Sequence, residues 1–175
     1  MRANQRVCSP NESHQSLELA FSDLPTHLGL GSMKKQKWKA SKDPLFRGDL
    51  VSGVRPPVPT ADESLVRHIL YLEGPGRETP YLSTTESFDT ARHFAGSGAV
   101  WETSVSRAKT RAVTHISNSE LLAAMKGNGK GKAKWSEPFE VMQARRYVEQ
   151  WSEHILDFRG LNDVEVTTAE IFRRK

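Results

Sequence analysis

From Leu45 onward, short apolar runs alternate with Gly- and Pro-rich breaks, and this pattern limits the fold more than any other feature. "VRPPVP", "EGPGRETP" and "KGNGKGKAKW" each mark a loop. Between them the runs read as strands and a few short helices, not as a regular βαβ series, which predicts an α+β domain. "SLVRHILYLE" has helical spacing at Leu65, Ile69 and Leu72, while "AVWETSVS" and "RAVTHIS" read as strands. "SNSELLAAMKG" reads as a helix opened by the capping pair Ser117 and Glu120 and closed by Gly127. No repeat is visible at periods of about 20 to 50 residues, so solenoids and propellers drop out.

A chain of 175 residues, 37% hydrophobic and 26% charged, suits one globular domain with a substantial core. That domain is expected over residues 44–175. Residues 1–43 form a polar extension with one amphipathic helix around "SLELAFSDL" and a lysine run at Lys34, Lys35, Lys37, Lys39 and Lys42. The run reads as a solvated tether or helix face ahead of a phosphate-binding arm. No run of about 18 apolar residues exists, and "MRANQRVCSPNESHQ" lacks an apolar signal core, so neither a membrane span nor a Sec-type signal is expected. Action in the cytoplasm follows as the expectation, with delivery by a route lacking such a signal left open. Cys8 is the single cysteine, which excludes an internal disulfide and a multi-cysteine zinc site. The net charge of +4 and the pI of 9.3 suit a polyanionic partner.

"YLSTTESFDTARHFA", residues 81 to 95, reads as a strand ending in Ser83, Thr84 and Thr85 and turning into a helix. Phe88, Ala91, Phe94 and Ala95 share one face of that helix, so it should pack on the core and hold the triplet rigidly. Hydroxyls at such a junction also serve simply as helix caps.

Two further signals flank this one. "PLFRGDL" places Arg47 in a strand expected to end in a Gly turn. "EQWSEHILDFRGLNDVEV" places Glu153 at the start of a strand that turns at Gly160 and returns as Val164 to Val166. In this order the three segments resemble the ADP-ribosyltransferase superfamily, in its Arg–Ser–Glu branch, over roughly residues 44 to 172.

The resemblance implies two packed, mostly antiparallel sheets around an NAD cleft, with short flanking helices. It implies mono-ADP-ribosyl transfer, a glycosyltransferase reaction with NAD as substrate and no metal. Arg47 would grip the NAD phosphates through its guanidinium fork, and Gly48 would allow close backbone approach to the nicotinamide. Ser83 would orient Glu153, with Thr84 and Thr85 buttressing the turn. Glu153 would bind the ribose 2′-hydroxyl and stabilise the oxocarbenium-like charge as nicotinamide leaves. By the same resemblance a compact basic member of this kind is most often a toxin or effector, which brings an antitoxin or immunity protein into consideration as a partner.

The acceptor is less constrained. Arginine-modifying members carry Glu two residues before the catalytic Glu, and a group resembling pierisins and scabin, which modify guanine, carries Gln. Here Trp151 occupies that position, with Gln150 one place earlier. An indole is no carboxylate base, but it offers a flat surface on which a nucleobase can stack. Lys126, Lys130, Lys132 and Lys134, interleaved with glycines and followed by Trp135, suit phosphate-backbone contact or a plain solvated loop. With "ARRY" at Arg145, Arg146 and Tyr147, these features favour a nucleic-acid acceptor, RNA or DNA, over a protein one. NAD glycohydrolysis and a non-catalytic basic nucleic-acid-binding role are the alternatives. Metal hydrolysis, a P-loop and a Ser-His-Asp hydrolase lack their motifs: no His-x-x-x-His, no phosphate-loop pattern and no G-x-S-x-G is present.

Overall fold

The structure, a computed structural model, describes residues 37–70, 78–134 and 137–175. The helix expected around "SLELAFSDL", Lys34, Lys35, Leu72 and Trp135 lie outside the described residues. One compact unit spans Lys37–Lys175.

The described fold is α+β. Six strands, β1 (Leu45–Asp49), β2 (Tyr81–Thr85), β3 (Ala99–Thr103), β4 (Thr114–Ile116), β5 (Glu153–Asp157) and β6 (Arg173–Arg174), form one sheet in the order β4-β5-β2-β1-β3-β6. Every pairing is antiparallel. The helices are α1 (Leu65–Leu70), α2 (Phe88–Ala95), α3 (Val105–Thr110), α4 (Asn118–Ala124), α5 (Pro138–Trp151) and α6 (Val164–Ile171). Among the described residues none is long and apolar enough to cross a membrane.

The strands' two-residue alternation sorts the core into two layers. Tyr81 and Ile155 join Val66 and Ile69 of α1, Leu121 of α4, and Val141, Ala144 and Val148 of α5 in one apolar cluster. Leu82 and Leu156 join Ala108 of α3 and Val164 and Ile171 of α6 in another. The sheet is thus covered by helices on both sides. On the second side, His154 Nε2 donates to the Glu86 carboxylate (2.9 Å), which leaves its Nδ1 to accept from His115 Nε2 (2.9 Å), and the Trp38 ring packs on His154 at 4.4 Å. Burial lowers both histidines, His115 to about 4.

Four sequence expectations change. A single six-stranded sheet is described where the resemblance implies two. Val164 to Val166 do not return as a strand: Val164, Thr167, Thr168 and Ile171 are buried at helical spacing, so α6 covers the sheet with one face. Likewise Ser104 ends β3 and caps α3, its hydroxyl accepting from the Arg107 N–H. Gly48 is not a turn but an interior residue of β1. A Cβ there would lie 2.3 Å from Ala91 O and Ala95 N, so its lack of a side chain lets α2 cross β1 in contact.

The α2 face is also used differently. Of its four apolar positions only Ala91 is buried, whereas Phe88 and Phe94 remain about two-fifths exposed (39% and 44%). The capping box of α4 forms as expected from Ser117 and Glu120, although the helix ends at Ala124, before Gly127.

Candidate functional site

β1 pairs with β3 along all five residues but with β2 only at Phe46↔Thr85. Beyond that point β1 and β2 part. Continued antiparallel register would bring Gly48 opposite Ser83; instead the Arg47 side chain fills the gap, its Nη1 donating to the Ser83 carbonyl at 2.9 Å. The opening so made is the mouth of a cleft of about 450 Å³, within the size range of small-molecule sites. Arg47, Gly48, Ser83, Thr84, Thr85, Trp151 and Glu153 all line it.

The β2–β5 register places Ser83 opposite Ile155 and Thr85 opposite Glu153, so Ser83 and Glu153 are diagonal neighbours on the α1/α5 side of the sheet. Ser83 Oγ donates to Glu153 Oε1 at 2.5 Å. Burial pushes the Glu153 carboxyl up to about 7, against the opposing pull of the Ser83 hydrogen bond and the Arg47 charge. A buried carboxyl poised near neutrality, open to a cleft, suits proton transfer.

The other two hydroxyls hold backbone. Thr84 Oγ1 donates to the His154 carbonyl (3.2 Å), and Thr85 Oγ1 to the Trp151 carbonyl (2.6 Å), one of the acceptors that the end of α5 leaves without a helical partner. Neither caps α2. That role belongs to Ser87, whose Oγ accepts from the Thr90 N–H.

Arg47 is mostly buried, and burial lowers its pKa while Asp49 opposes the shift. Its Nε donates to Asp49 Oδ2 at 2.9 Å, so with the Ser83 carbonyl on Nη1 the fork is already partly engaged. The fully buried Asp49 carboxylate also accepts from Arg55 Nε at 3.1 Å. Arg55 is mostly exposed and lines the same cleft. One carboxylate therefore holds two guanidinium groups at the mouth, an arrangement suited to a diphosphate. Asp49 stood in the quoted "RGD", but only the turn of the chain after β1 brings Arg55 back to it.

Trp151 is the last residue of α5 rather than part of a loop; Ser152 follows in the left-handed conformation (φ 46°) and turns the chain into β5. The indole is half-buried, parallel to His93 within 16° at 6.1 Å and edge-on to Phe94 at 5.1 Å. Phe94 belongs to the cleft wall. Gln150 is exposed and does not line the cleft.

Nor do the four lysines line it. Lys126 shares a surface hollow with Pro138, in the first turn of α5, while Trp151 ends the same 14-residue helix. At 1.5 Å per residue those ends are about 20 Å apart. Lys132 is ion-paired with Glu63, which also pairs with Arg159 at 3.2 Å. Ala133 between the lysines is fully buried against the α1/α5 layer, so the segment is anchored.

Sequence reasoning assigned no role to His68. It lies in α1, almost fully buried, with Nε2 2.9 Å from Ser83 Oγ. The one local signal, a histidine on a helix otherwise packed by Leu65, Val66 and Ile69, is indistinguishable from a core position. Among the described residues no cluster of three His, Cys, Asp or Glu is arranged to hold a metal ion. Comparison with protein-family models, curated proteins and solved structures finds no match to this chain.

Proposed function

We propose that this protein is an NAD-dependent mono-ADP-ribosyltransferase, of toxin or effector type, that transfers ADP-ribose to a nucleic-acid base. The observation that carries the reading is the convergence of Arg47, Ser83 and Glu153, from three strands, on one cleft with the Ser83–Glu153 hydrogen bond formed. A basic protein that only bound nucleic acid would have no need of a buried carboxyl held near neutrality beside a guanidinium pair.

In this reading Arg47 and Arg55 bind the diphosphate, and the cleft beside Gly48 and Ser83 receives the nicotinamide riboside. Glu153 Oε1 is taken by Ser83, which leaves Oε2 for the ribose 2′-hydroxyl. The C1′–N bond to nicotinamide breaks, the departing ring taking the bonding electron pair. Positive charge spreads over C1′ and the ring oxygen, where the ionised carboxylate stabilises it. The acceptor nitrogen then bonds to C1′ and loses its proton to Glu153, which passes it to water. The products are nicotinamide, the ADP-ribosylated acceptor and one proton.

The half-exposed aromatic wall of Phe94 and Trp151 beside Glu153 favours a planar acceptor. Incubation with NAD labelled in the adenylate half, followed by separation of RNA, DNA and protein, tests the whole reading. Label in a nucleic-acid fraction is expected. Label in protein assigns a protein acceptor, free ADP-ribose alone assigns a glycohydrolase, and unconsumed NAD removes the enzymatic reading.

A further inference from the structure

Behind Ser83, on the side away from the cleft, runs a chain of hydrogen bonds that the mechanism above does not use. Tyr81 N donates to Thr79 Oγ1 at 3.3 Å, Thr79 Oγ1 lies 3.1 Å from His68 Nδ1, and His68 Nε2 lies 2.9 Å from Ser83 Oγ. Ser83 completes it by donating to Glu153. The donors can be ordered from both ends. Thr79 Oγ1 accepts from a backbone N–H, so its own hydrogen is available to Nδ1. Ser83 has one hydrogen and gives it to the carboxylate, so the proton between His68 and Ser83 sits on Nε2. The Tyr81 ring, edge-on to the imidazole at 5.4 Å and 70°, limits rotation of the ring out of this line.

We propose that His68 is a positioning residue for Glu153: its Nε2–H occupies a lone pair of Ser83 Oγ and so commits the Ser83 hydrogen to Glu153 Oε1. This rests on the transferase reading of the cleft. A serine hydroxyl rotates freely, and a bare Nε2 would be a second acceptor for its hydrogen in competition with the carboxylate. With Nε2–H in place, donation to the carboxylate is the arrangement in which every donor of the chain is used once. Each bond polarises the next, so the end of the chain at Glu153 is strengthened by the links behind it. His68 does not reach the cleft lining and acts only through Ser83. Its loss should therefore slow turnover and leave NAD binding alone.

The test has a spectroscopic and a kinetic arm. Ring-nitrogen NMR of 15N-histidine protein, with the His68 signals assigned by their loss in His68→Gln, is expected to show Nε2 protonated and Nδ1 bare, and Ser83→Ala should shift the Nε2–H signal. In nicotinamide release from NAD, His68→Leu should lower kcat by roughly 10- to 100-fold, the range for a lost ordering hydrogen bond, with KM for NAD within about twofold. His68→Gln, whose amide places a donor near Nε2, should recover roughly tenfold over His68→Leu. A bare Nε2 with the proton on Nδ1, equal kcat in folded His68→Leu and wild type, or equal loss in the Gln and Leu variants each overturns the proposal. If His68→Leu does not fold, the tautomer and His68→Gln still decide. Failure of the transferase reading looks different: the wild-type protein itself then releases no nicotinamide, and the catalytic role of His68 falls with it.

Discussion

Ser83 and Glu153, 70 positions apart in the chain, are joined by a 2.5 Å hydrogen bond at the floor of the cleft. The bond opposes a burial cost that holds the carboxyl at about 7. The pair thus trades stability for a carboxylate of usable basicity, and this can be measured on both sides.

Glu153→Gln should lower ADP-ribosyl transfer by roughly 10²- to 10⁴-fold. It should also stabilise the fold, with a definite pH dependence. Between the ordinary carboxyl value and about 7 the unfolded chain has released the Glu153 proton and the folded chain still holds it, so this group's contribution falls as pH rises through that window and is flat above it. The variant lacks that loss. Denaturant unfolding should show the two proteins alike near pH 4.5 and the variant more stable at pH 8, by an upper bound of about 3 kcal/mol. Equal stabilities at pH 8 would refute the raised carboxyl.

Ser83→Ala removes the bond that pulls the Glu153 carboxyl down, so its value should rise further above 7. The acidic limb of kcat/KM, expected near pH 7 in the wild type, should move to higher pH, and the rate at pH 7 should fall by roughly tenfold or more. An unmoved limb separates Ser83 from the carboxylate that titrates.

Arg47→Lys keeps the charge but loses the donations to Asp49 and to the Ser83 carbonyl. NAD affinity by calorimetry should fall by tenfold or more, and thermal stability should fall too, because Asp49 stays buried with a poorer partner. Arg55→Ala, at a mostly exposed position, should weaken NAD by roughly tenfold with little change in unfolding. Unchanged affinity in both variants moves the phosphate site elsewhere.

Trp151→Ala should reduce nucleic-acid modification by an amount matching roughly 1–3 kcal/mol of base stacking, while NAD hydrolysis to water is largely kept. Changing Lys126, Lys130, Lys132 and Lys134 to Ser should act separately, flattening the salt dependence of acceptor binding by about 0.7 in slope per lost single-strand phosphate contact. Lys126 stands near the far end of α5 and none of the four lysines lines the cleft, so an acceptor too short to span about 20 Å should respond to the Trp151 change and not to Lys126. A short oligonucleotide affected equally by both changes would refute the separation.

Gly48→Ala would put a methyl 2.3 Å from two backbone atoms of α2, which no rotamer change relieves. A loss of about 3 kcal/mol is expected, near 10 °C in thermal midpoint. A midpoint within 2 or 3 °C of wild type would show that α2 is free to shift.

Local features of this chain were legible wherever a few neighbouring residues decide the outcome. The Ser117–Glu120 capping box, the helix from Leu65 and the strand at 81–85 depend on side chains within one turn or one pleat of each other. The order Arg47, Ser83, Glu153 could also be read along the chain, because each residue sits in a recognisable strand. The segment Val164–Ile171 was misread because three alternating apolar and polar residues satisfy a strand pattern before the helical spacing of Thr167, Thr168 and Ile171 is counted.

Relations between distant segments belong to the tertiary structure. The sequence by itself determined the α+β class and which side chains could do chemistry, since hydrophobic period, capping and residue type act locally. Only the fold decided that β1 parts from β2 after one residue pair, that Asp49 gathers Arg47 and Arg55, that His68 stands behind Ser83, and that the lysines lie away from Trp151. Each depends on strand register, helix crossing or burial summed over the whole domain, and a carboxyl reaches about 7 only when that packing removes its water.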